Sequence, residues 1–221
     1  MTIATGSCGV SWSGGKDSCY ALMKARNTGL VPAVLLNVLN EQGKITRSHG
    51  IPSAIIRAQA KQLGLPVHLI SSSWADYERL FTAALNDLRQ AYQLSHMAFG
   101  DIDLQAHRDW EEKVCQQAGL TAVLPLWHAD RKQLILEMLD WGIETIIVSC
   151  NHIMGERFLG RQLSRELVSE LERIGIDPCG ENGEYHTLVT HCPLFKEHLN
   201  VQSTGAIKHD NYWFTNLQLS P

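Results

Sequence analysis

The stretch that decides the fold is Val10-Ser11-Trp12-Ser13-Gly14-Gly15-Lys16-Asp17-Ser18. Small and apolar residues from Thr5 to Trp12 predict a buried strand, and Asp17 to Asn27 predicts a helix that ends before Gly29. A tight glycine turn therefore joins a strand to a helix N-terminus. Such a turn binds anions, because backbone N–H groups can approach phosphate oxygens, the helix dipole is positive there, and Lys16 adds a full charge.

Two common phosphate-binding motifs do not fit this turn. A Walker A loop needs a glycine five residues before its second glycine, where Val10 stands, and a serine or threonine after the lysine, where Asp17 stands. A dinucleotide-binding helix needs Gly-x-Gly-x-x-Gly, which does not open this helix. The residues alone leave two interpretations open, another kind of phosphate loop or a plain glycine turn with a surface lysine.

The bulk composition narrows the class of protein. The chain has 221 residues, 44% of them hydrophobic, which is enough for one large domain or for one domain and a small second one. A formal charge of −4 argues against a general nucleic-acid binder. No apolar run reaches membrane-spanning length and the N-terminus lacks a signal pattern, so we expect a cytoplasmic protein with no membrane partner. Six cysteines without a Cys-x-x-Cys pair predict reduced, structural thiols.

Strands and helices alternate along the first part of the chain, which predicts a parallel sheet covered on both faces. Leu30–Leu39 is a continuous apolar run that is typical of a strand buried on both sides. Ligands bind beyond the carboxyl ends of such strands, so the polar loops 13–18, 37–50 and 100–103 are expected to converge. The other predicted elements are strands at 66–70, 97–99 and 121–126 and helices at 52–63, 76–94 and 104–118.

The chain from Trp127 onward is predicted to form a second, smaller α+β domain, which gives domains at 1–126 and 127–221. Helices are expected at 130–141 and 164–174, a strand at 144–149, and a hairpin at 206–219 that turns near Asp210-Asn211. Asp177 to His186 is polar and rich in glycine. Because loops have this composition, a solvated surface loop and a ligand-binding loop both remain open.

Several stretches together resemble known families. Ser13 to Ser18 is similar to the Ser-Gly-Gly-x-Asp-Ser signature of the PP-loop ATP pyrophosphatases. Four further stretches occur in the order found in the diphthine–ammonia ligase family: Gly100-Asp101-Ile102, Pro125-Leu126-Trp127, Gly180 to Thr187, and Cys192-Pro193-Leu194-Phe195. The resemblance implies a Rossmann-like PP-loop domain of the adenine nucleotide alpha-hydrolase type. It also implies an amide ligase that activates a carboxylate with ATP, releases AMP and pyrophosphate, and uses free ammonium.

One departure leaves the acceptor open. Eukaryotic and archaeal members of the family have the pattern Glu-Gly-Gly-Glu-x-Glu-Thr at this place. This chain has Asn182 in place of the first glycine and His186 in place of the last glutamate, and in this it is similar to bacterial-type relatives. The family acceptor is diphthine, a modified histidine on elongation factor 2, which bacteria lack. The alternatives are a corrinoid or other small carboxylic acid, linked to cobalamin metabolism, and a protein that binds ATP or AMP without turnover. A homodimer is compatible with all three.

The resemblance also implies roles for individual residues. Lys16, Glu181, Glu184 and His186 are the catalytic candidates, with Glu184 first as the base for ammonium and His186 suited by an ordinary pKa near 6.5. Asp101 could contact nucleotide or magnesium or cap a helix, and a structural role for His49 stays open. The ATP and pyrophosphate candidates are Ser11, Ser13, Gly14, Gly15, Lys16, Asp17, Ser18, Asn37, His49, Gly100 and Asp101, with Asp17 also assigned to Mg²⁺. The acceptor candidates are Glu181, Asn182, Glu184 and Thr187.

Overall fold

The computed structural model describes residues 6–220 and divides the chain into two compact units. The first unit holds the chain up to Ser13, Asp17–Lys44 and Gly64–His128. The second holds Gly14–Lys16, Ile45–Leu63 and the chain from Ala129 on. Thr5, where the first strand was predicted to begin, lies outside the described residues. The predicted domain boundary at 126/127 stays a prediction.

Regular elements follow the alternation that the sequence indicates. The longest helix has 16 residues, and within residues 6–220 no helix combines the length and apolar character that a membrane crossing needs. In chain order the elements are β1 (Gly6–Ser11), α1 (Lys16–Asn27), β2 (Leu30–Leu39), α2 (Ser53–Leu63), β3 (Val67–Ser71), α3 (Tyr77–Tyr92), β4 (His96–Ala98), α4 (Gln105–Gln117), β5 (Thr121–Val123), α5 (Arg131–Asp140), β6 (Glu144–Asn151), a 3-10 helix (Glu156–Phe158), α6 (Arg165–Arg173), β7 (Tyr185–His191), β8 (Val201–His209) and β9 (Tyr212–Leu219).

The sheet of the first unit is parallel and has the strand order β3-β2-β1-β4-β5. This confirms the predicted α/β class, and β2 has the predicted bounds. Two details of the prediction are wrong. The polar loop predicted at 37–50 starts too early, since Asn37 lies inside β2, where its side chain is buried and bonded to the carbonyl oxygen of Trp12. The last strand ends at Val123 and not at Leu126.

Helix α3 shows why the core of this unit forms. It buries Phe81, Ala84, Leu85 and Leu88, which recur at the spacing of one helical face. They pack in one cluster with apolar residues of β2, β4 and α4. The ring centroids of Phe81 and Trp110 are 5.1 Å apart. These four residues therefore form the face of α3 that packs into the core of the first unit.

The sheet of the second unit has the order β7-β6-β9-β8, with antiparallel pairing throughout. The predicted hairpin forms from β8 and β9 and turns at Asp210-Asn211, and Asp210 has a φ of 51°. Strand β7 was missed. Tyr185, His186 and Thr187, predicted to belong to a polar loop, begin this strand and pair with β6.

We expect Leu85→Ala to lower the free energy of unfolding by about 2 to 5 kcal/mol, because it opens a cavity in the core of the first unit. Leu85 is fully buried. Urea unfolding followed by circular dichroism measures the change. Val31→Ala is the control, since Val31 is 64% exposed and its loss should cost less than about 1 kcal/mol. Equal effects of the two substitutions would contradict this description of the core.

Candidate functional site

The backbone of Gly14–Lys16 is held by strand β7, within the second unit. The N–H of Val189 donates to the carbonyl oxygen of Gly14 over 2.9 Å. Two residues further along the loop, the N–H of Lys16 donates to Oγ1 of Thr187 over 3.0 Å. Thr187 is buried and was predicted as an acceptor-binding residue, but its hydroxyl supports the phosphate loop.

Both glycines of the loop are needed where they stand. Gly14 has a φ of 88°, a conformation that side chains rarely adopt, and a Cβ there would lie 2.7 Å from Cδ1 of Ile56. A Cβ on Gly15 would lie 2.8 Å from Nε2 of His49 and 3.0 Å from the carbonyl oxygen of Thr187. Neighbouring side chains and the backbone of β7 therefore leave no room for a Cβ at either position.

Three basic side chains meet beside this loop. The rings of His49 and His186 are tilted against each other with centroids 4.4 Å apart. Lys16 begins α1, is 3% exposed, and holds its Nζ 5.5 Å from the ring centroid of Tyr185. Lysine and two imidazoles around a glycine turn form a site that suits a polyanion.

The two imidazoles are neutral at pH 7. Burial, and after it the positive charge of Lys16, lowers the pKa of His186 to about 4. Burial, His186 and Lys16, in that order, hold the pKa of His49 well below its ordinary value. The expectation that His186 has an ordinary pKa near 6.5 is therefore wrong. In this state each ring can still accept one hydrogen bond and donate another.

The carboxylate of Glu184 organises the loop that precedes β7. Its Oε1 accepts from the N–H of Asp177 over 3.3 Å and from Nδ2 of Asn182 over 3.1 Å. Its Oε2 accepts from the N–H of Asn182 over 3.0 Å. Glu184 is buried, Glu181 is half-buried and Asn182 is exposed. The predicted acceptor residues thus lie on one loop whose backbone is fixed by Glu184.

Arg131, which no sequence motif includes, anchors the same loop. Its Nη1 is ion-paired with Asp177 and donates to Oδ1 of Asn182 over 3.3 Å. Beside the pair lies an open depression of about 630 Å³, lined in part by Lys132 and Glu172. No sequence pattern distinguishes Arg131 from the other arginines. It is the first residue of α5, and its partners lie about 50 positions away in the sequence.

Five other site candidates lie at the carboxyl edge of the first unit's sheet. Nδ2 of Asn37 donates to the carbonyl oxygen of Trp12 over 2.7 Å, which links β2 to the end of β1. A Cβ on Gly100 would lie 2.8 Å from the carbonyl carbon of Asp17, so glycine permits this approach. The hydroxyls of Ser13 and Ser18 are 3.1 Å apart. Ser11 is the half-buried last residue of β1. Their assignment to the nucleotide stays a prediction.

Asp101 takes part in a carboxylate pair. Its Oδ1 lies 2.7 Å from Nδ1 of His107, and its side chain is also hydrogen-bonded to Glu111. Burial, together with the hydrogen bond to Asp101, raises the pKa of Glu111 to about 11. Burial would raise the pKa of Asp101, but the hydrogen bonds with His107 and Glu111 lower it. The proton in the hydrogen bond between the two carboxyl groups therefore belongs to Glu111. Asp101 does not cap α4, whose N-cap is Leu104 with no side-chain hydrogen bond.

Family models match nearly the whole of the chain. The diphthamide synthase N-terminal domain matches residues 6–122, and the diphthamide synthase C-terminal domain matches residues 130–219. The chain belongs to the diphthamide synthase family. Both the phosphate loop and the loop that Glu184 organises fall inside the matched regions.

Curated relatives of the chain are named diphthine–ammonia ligases. The relative from Schizosaccharomyces pombe is 28% identical over 90% of this chain, which spans only 36% of that protein. The relative from Mus musculus is 26% identical over 89% of this chain and 83% of its own length. A solved structure, a predicted subunit of tRNA methyltransferase from Methanocaldococcus jannaschii, is 17% identical with a TM-score of 0.46. It covers 85% of this chain and 98% of its own.

We expect the stability of the protein to fall as the pH drops from about 6.5 to 4, partly through His186. Its pKa of about 4 in the folded chain lies below the ordinary value of 6.5, so the unfolded chain takes up the proton first. Neutral His186 makes its full contribution to the free energy of unfolding above pH 6.5. This contribution is lost as the pH falls toward 4, by up to about 1 kcal/mol per pH unit. Urea midpoints measured from pH 7.5 to 4.5 test this.

His186→Gln should flatten that pH dependence, because glutamine does not titrate. His209→Gln is the control, since His209 is exposed on the hairpin. An unchanged slope in His186→Gln would show that His186 titrates normally and that the loop does not suppress its charge.

Proposed function

We propose that the protein is an ATP-dependent amide ligase that acts on diphthine of elongation factor 2 in the cytoplasm. The observation that carries the proposal is the support of the Gly14–Lys16 loop by Thr187 and Val189 of β7. The Glu-Asn-Gly-Glu-Tyr-His-Thr motif runs directly into that strand, so one segment serves both the phosphate loop and the loop anchored by Arg131. The names of the curated relatives support the same reaction.

The loop is suited to the pyrophosphate end of ATP. Lys16 and the amides of the glycine turn would bind the β- and γ-phosphates. The acceptor carboxylate attacks the α-phosphorus, an acyl-adenylate forms, and pyrophosphate leaves. Ammonia then attacks the acyl carbon, the amide forms, and AMP leaves. The barrier falls because positive charge and N–H dipoles are already in place where charge grows on the leaving group.

Ammonium must lose a proton before it attacks. Glu184 is our first candidate for binding the cation and taking the proton, and Glu181 is the second. Each carboxylate oxygen of Glu184 can accept more than one hydrogen bond, so its contacts with the loop leave acceptor capacity. His186 is the weaker base because its pKa is about 4.

Asp17 is the residue we assign to Mg²⁺. Within residues 6–220 no group of three or more histidine, cysteine or acidic side chains is placed to hold a metal ion. This suits magnesium, which is usually held by one or two carboxylates, substrate phosphates and water. The carboxylate of Asp17, in the first turn of α1, supplies the oxygen ligand that such an ion prefers. The ion would neutralise charge on the phosphates.

Product analysis tests the proposed reaction. Incubation with magnesium-ATP, ammonium and diphthine-bearing elongation factor 2 should give AMP and pyrophosphate, each dependent on acceptor and ammonium. Lys16→Met should weaken ATP binding at least tenfold, because it removes the loop's full positive charge. Chromatography of AMP and ADP, with calorimetry for binding, measures both effects.

Three outcomes would contradict this proposal. Formation of ADP would exclude cleavage between the α- and β-phosphates. Turnover with a corrinoid acid in place of diphthine would refute the acceptor but keep the chemistry. ATP that binds and stays intact with every acceptor would indicate a nucleotide-binding protein without turnover.

Glu184→Gln should lower AMP formation at least tenfold while ATP still binds. One carboxylate oxygen becomes an NH₂ group that faces the N–H donors of Asp177 or Asn182, so the loop loses its fixed shape. Initial rates and calorimetry separate the two effects. Glu197→Gln is the matched control, since Glu197 is exposed and its side chain lies outside this loop. Loss of ATP binding in Glu184→Gln would contradict its assignment to the acceptor step.

A further inference from the structure

A buried amide holds the phosphate loop to its supporting strand. Gln59 of α2 is 0% exposed. Its Nε2 donates to the carbonyl oxygen of Gly14 over 3.0 Å and to the carbonyl oxygen of Val189 over 2.8 Å. An amide nitrogen has two hydrogens, so both are used in joining loop and strand. A polar group this deeply buried costs free energy unless it is bonded in this way.

These contacts fix the orientation of one peptide group. The Gly14 carbonyl also accepts from the N–H of Val189, so it receives two hydrogen bonds, one for each lone pair. Among residues 6–220 every peptide bond is trans, and in a trans peptide the carbonyl and the next N–H point in opposite directions. Holding the Gly14 oxygen toward Gln59 and Val189 therefore directs the N–H of Gly15 away from them.

The loop needs this restraint because two glycines flank the peptide group. Glycine adopts positive and negative φ with similar ease, so a Gly–Gly peptide can rotate more readily than any other. The other restraint, from Thr187 to the N–H of Lys16, acts on the next peptide group. Gln59 is thus the side chain that, together with the N–H of Val189, holds the Gly14–Gly15 peptide in one orientation.

We propose that Gln59 is a positioning residue that sets the phosphate loop to receive the pyrophosphate group of ATP. The proposal rests on the ligase function proposed above. Gln59 acts through the backbone of Gly14 and not by contact with substrate. It extends the site to a helix that the sequence motifs do not include.

Gln59→Met, compared with Gln62→Met, tests the proposal. Gln62 lies on the same helix and also bonds backbone, since its Oε1 accepts from the N–H of Glu197 over 3.0 Å, but it does not contact the phosphate loop. Calorimetry of the full chain with magnesium and pyrophosphate, and separately with AMP, gives the two affinities. In Gln59→Met pyrophosphate should bind at least tenfold more weakly and AMP within about twofold of the unchanged protein. In Gln62→Met both affinities should be unchanged.

Equal loss of pyrophosphate and AMP binding, or equal behaviour of the two variants, would overturn the proposal. If Gln59→Met fails to fold, Gln59→Asn keeps the amide but draws it back by one methylene, and the same selective loss is expected. Failure of both to fold, with Gln62→Met folded, would show that Gln59 only stabilises the unit. An unchanged protein that binds neither ATP nor pyrophosphate, or Lys16→Met with unaltered affinity, would contradict the ligase function instead.

Discussion

The carbonyl oxygen of Gly14 is the point on which the phosphate loop depends. It accepts hydrogen bonds from the N–H of Val189 in β7 and from the side-chain amide of Gln59. Two residues after Gly14, the N–H of Lys16 donates to the hydroxyl of Thr187. A glycine turn has little conformational preference of its own, so these bonds supply the order that its sequence lacks. The same loop carries Gly15, where a Cβ would lie 2.8 Å from Nε2 of His49, and the buried Lys16.

The seven-residue motif Glu-Asn-Gly-Glu-Tyr-His-Thr has two structural parts with different contacts. Its first half is a loop whose backbone is bonded to Glu184, and its second half is a strand whose side chains and backbone contact the phosphate loop and His49. A change at one end, such as Asn182, alters the contacts with Glu184 and Arg131. A change at the other, such as His186, alters the electrostatics beside Lys16. The two departures from the eukaryotic pattern therefore act on different parts of the site.

The sequence predicted the elements that local patterns define. The strand Leu30–Leu39 and the glycine turn before α1 were visible because apolar runs and glycine pairs are short-range signals. Strand β7 was missed because glycine, asparagine and glutamate before it signal a loop, and the strand begins within the motif itself. Gln59 was missed because nothing local marks a buried glutamine on a helix whose partners lie 45 and 130 positions away. The neutral state of His186 likewise arises from burial and a distant lysine.

Strand β7, which supports the phosphate loop, lies far from it in sequence, 171 positions in the case of Lys16 and Thr187. At a synthesis rate of roughly 5–20 residues per second, the glycine turn leaves the ribosome on the order of ten seconds or more before its supporting strand exists. Closing so long a loop is also an entropically slow step of folding. The nascent chain therefore carries the glycine turn before the strand that holds it exists. The loop reaches that shape only after β7 has been synthesised.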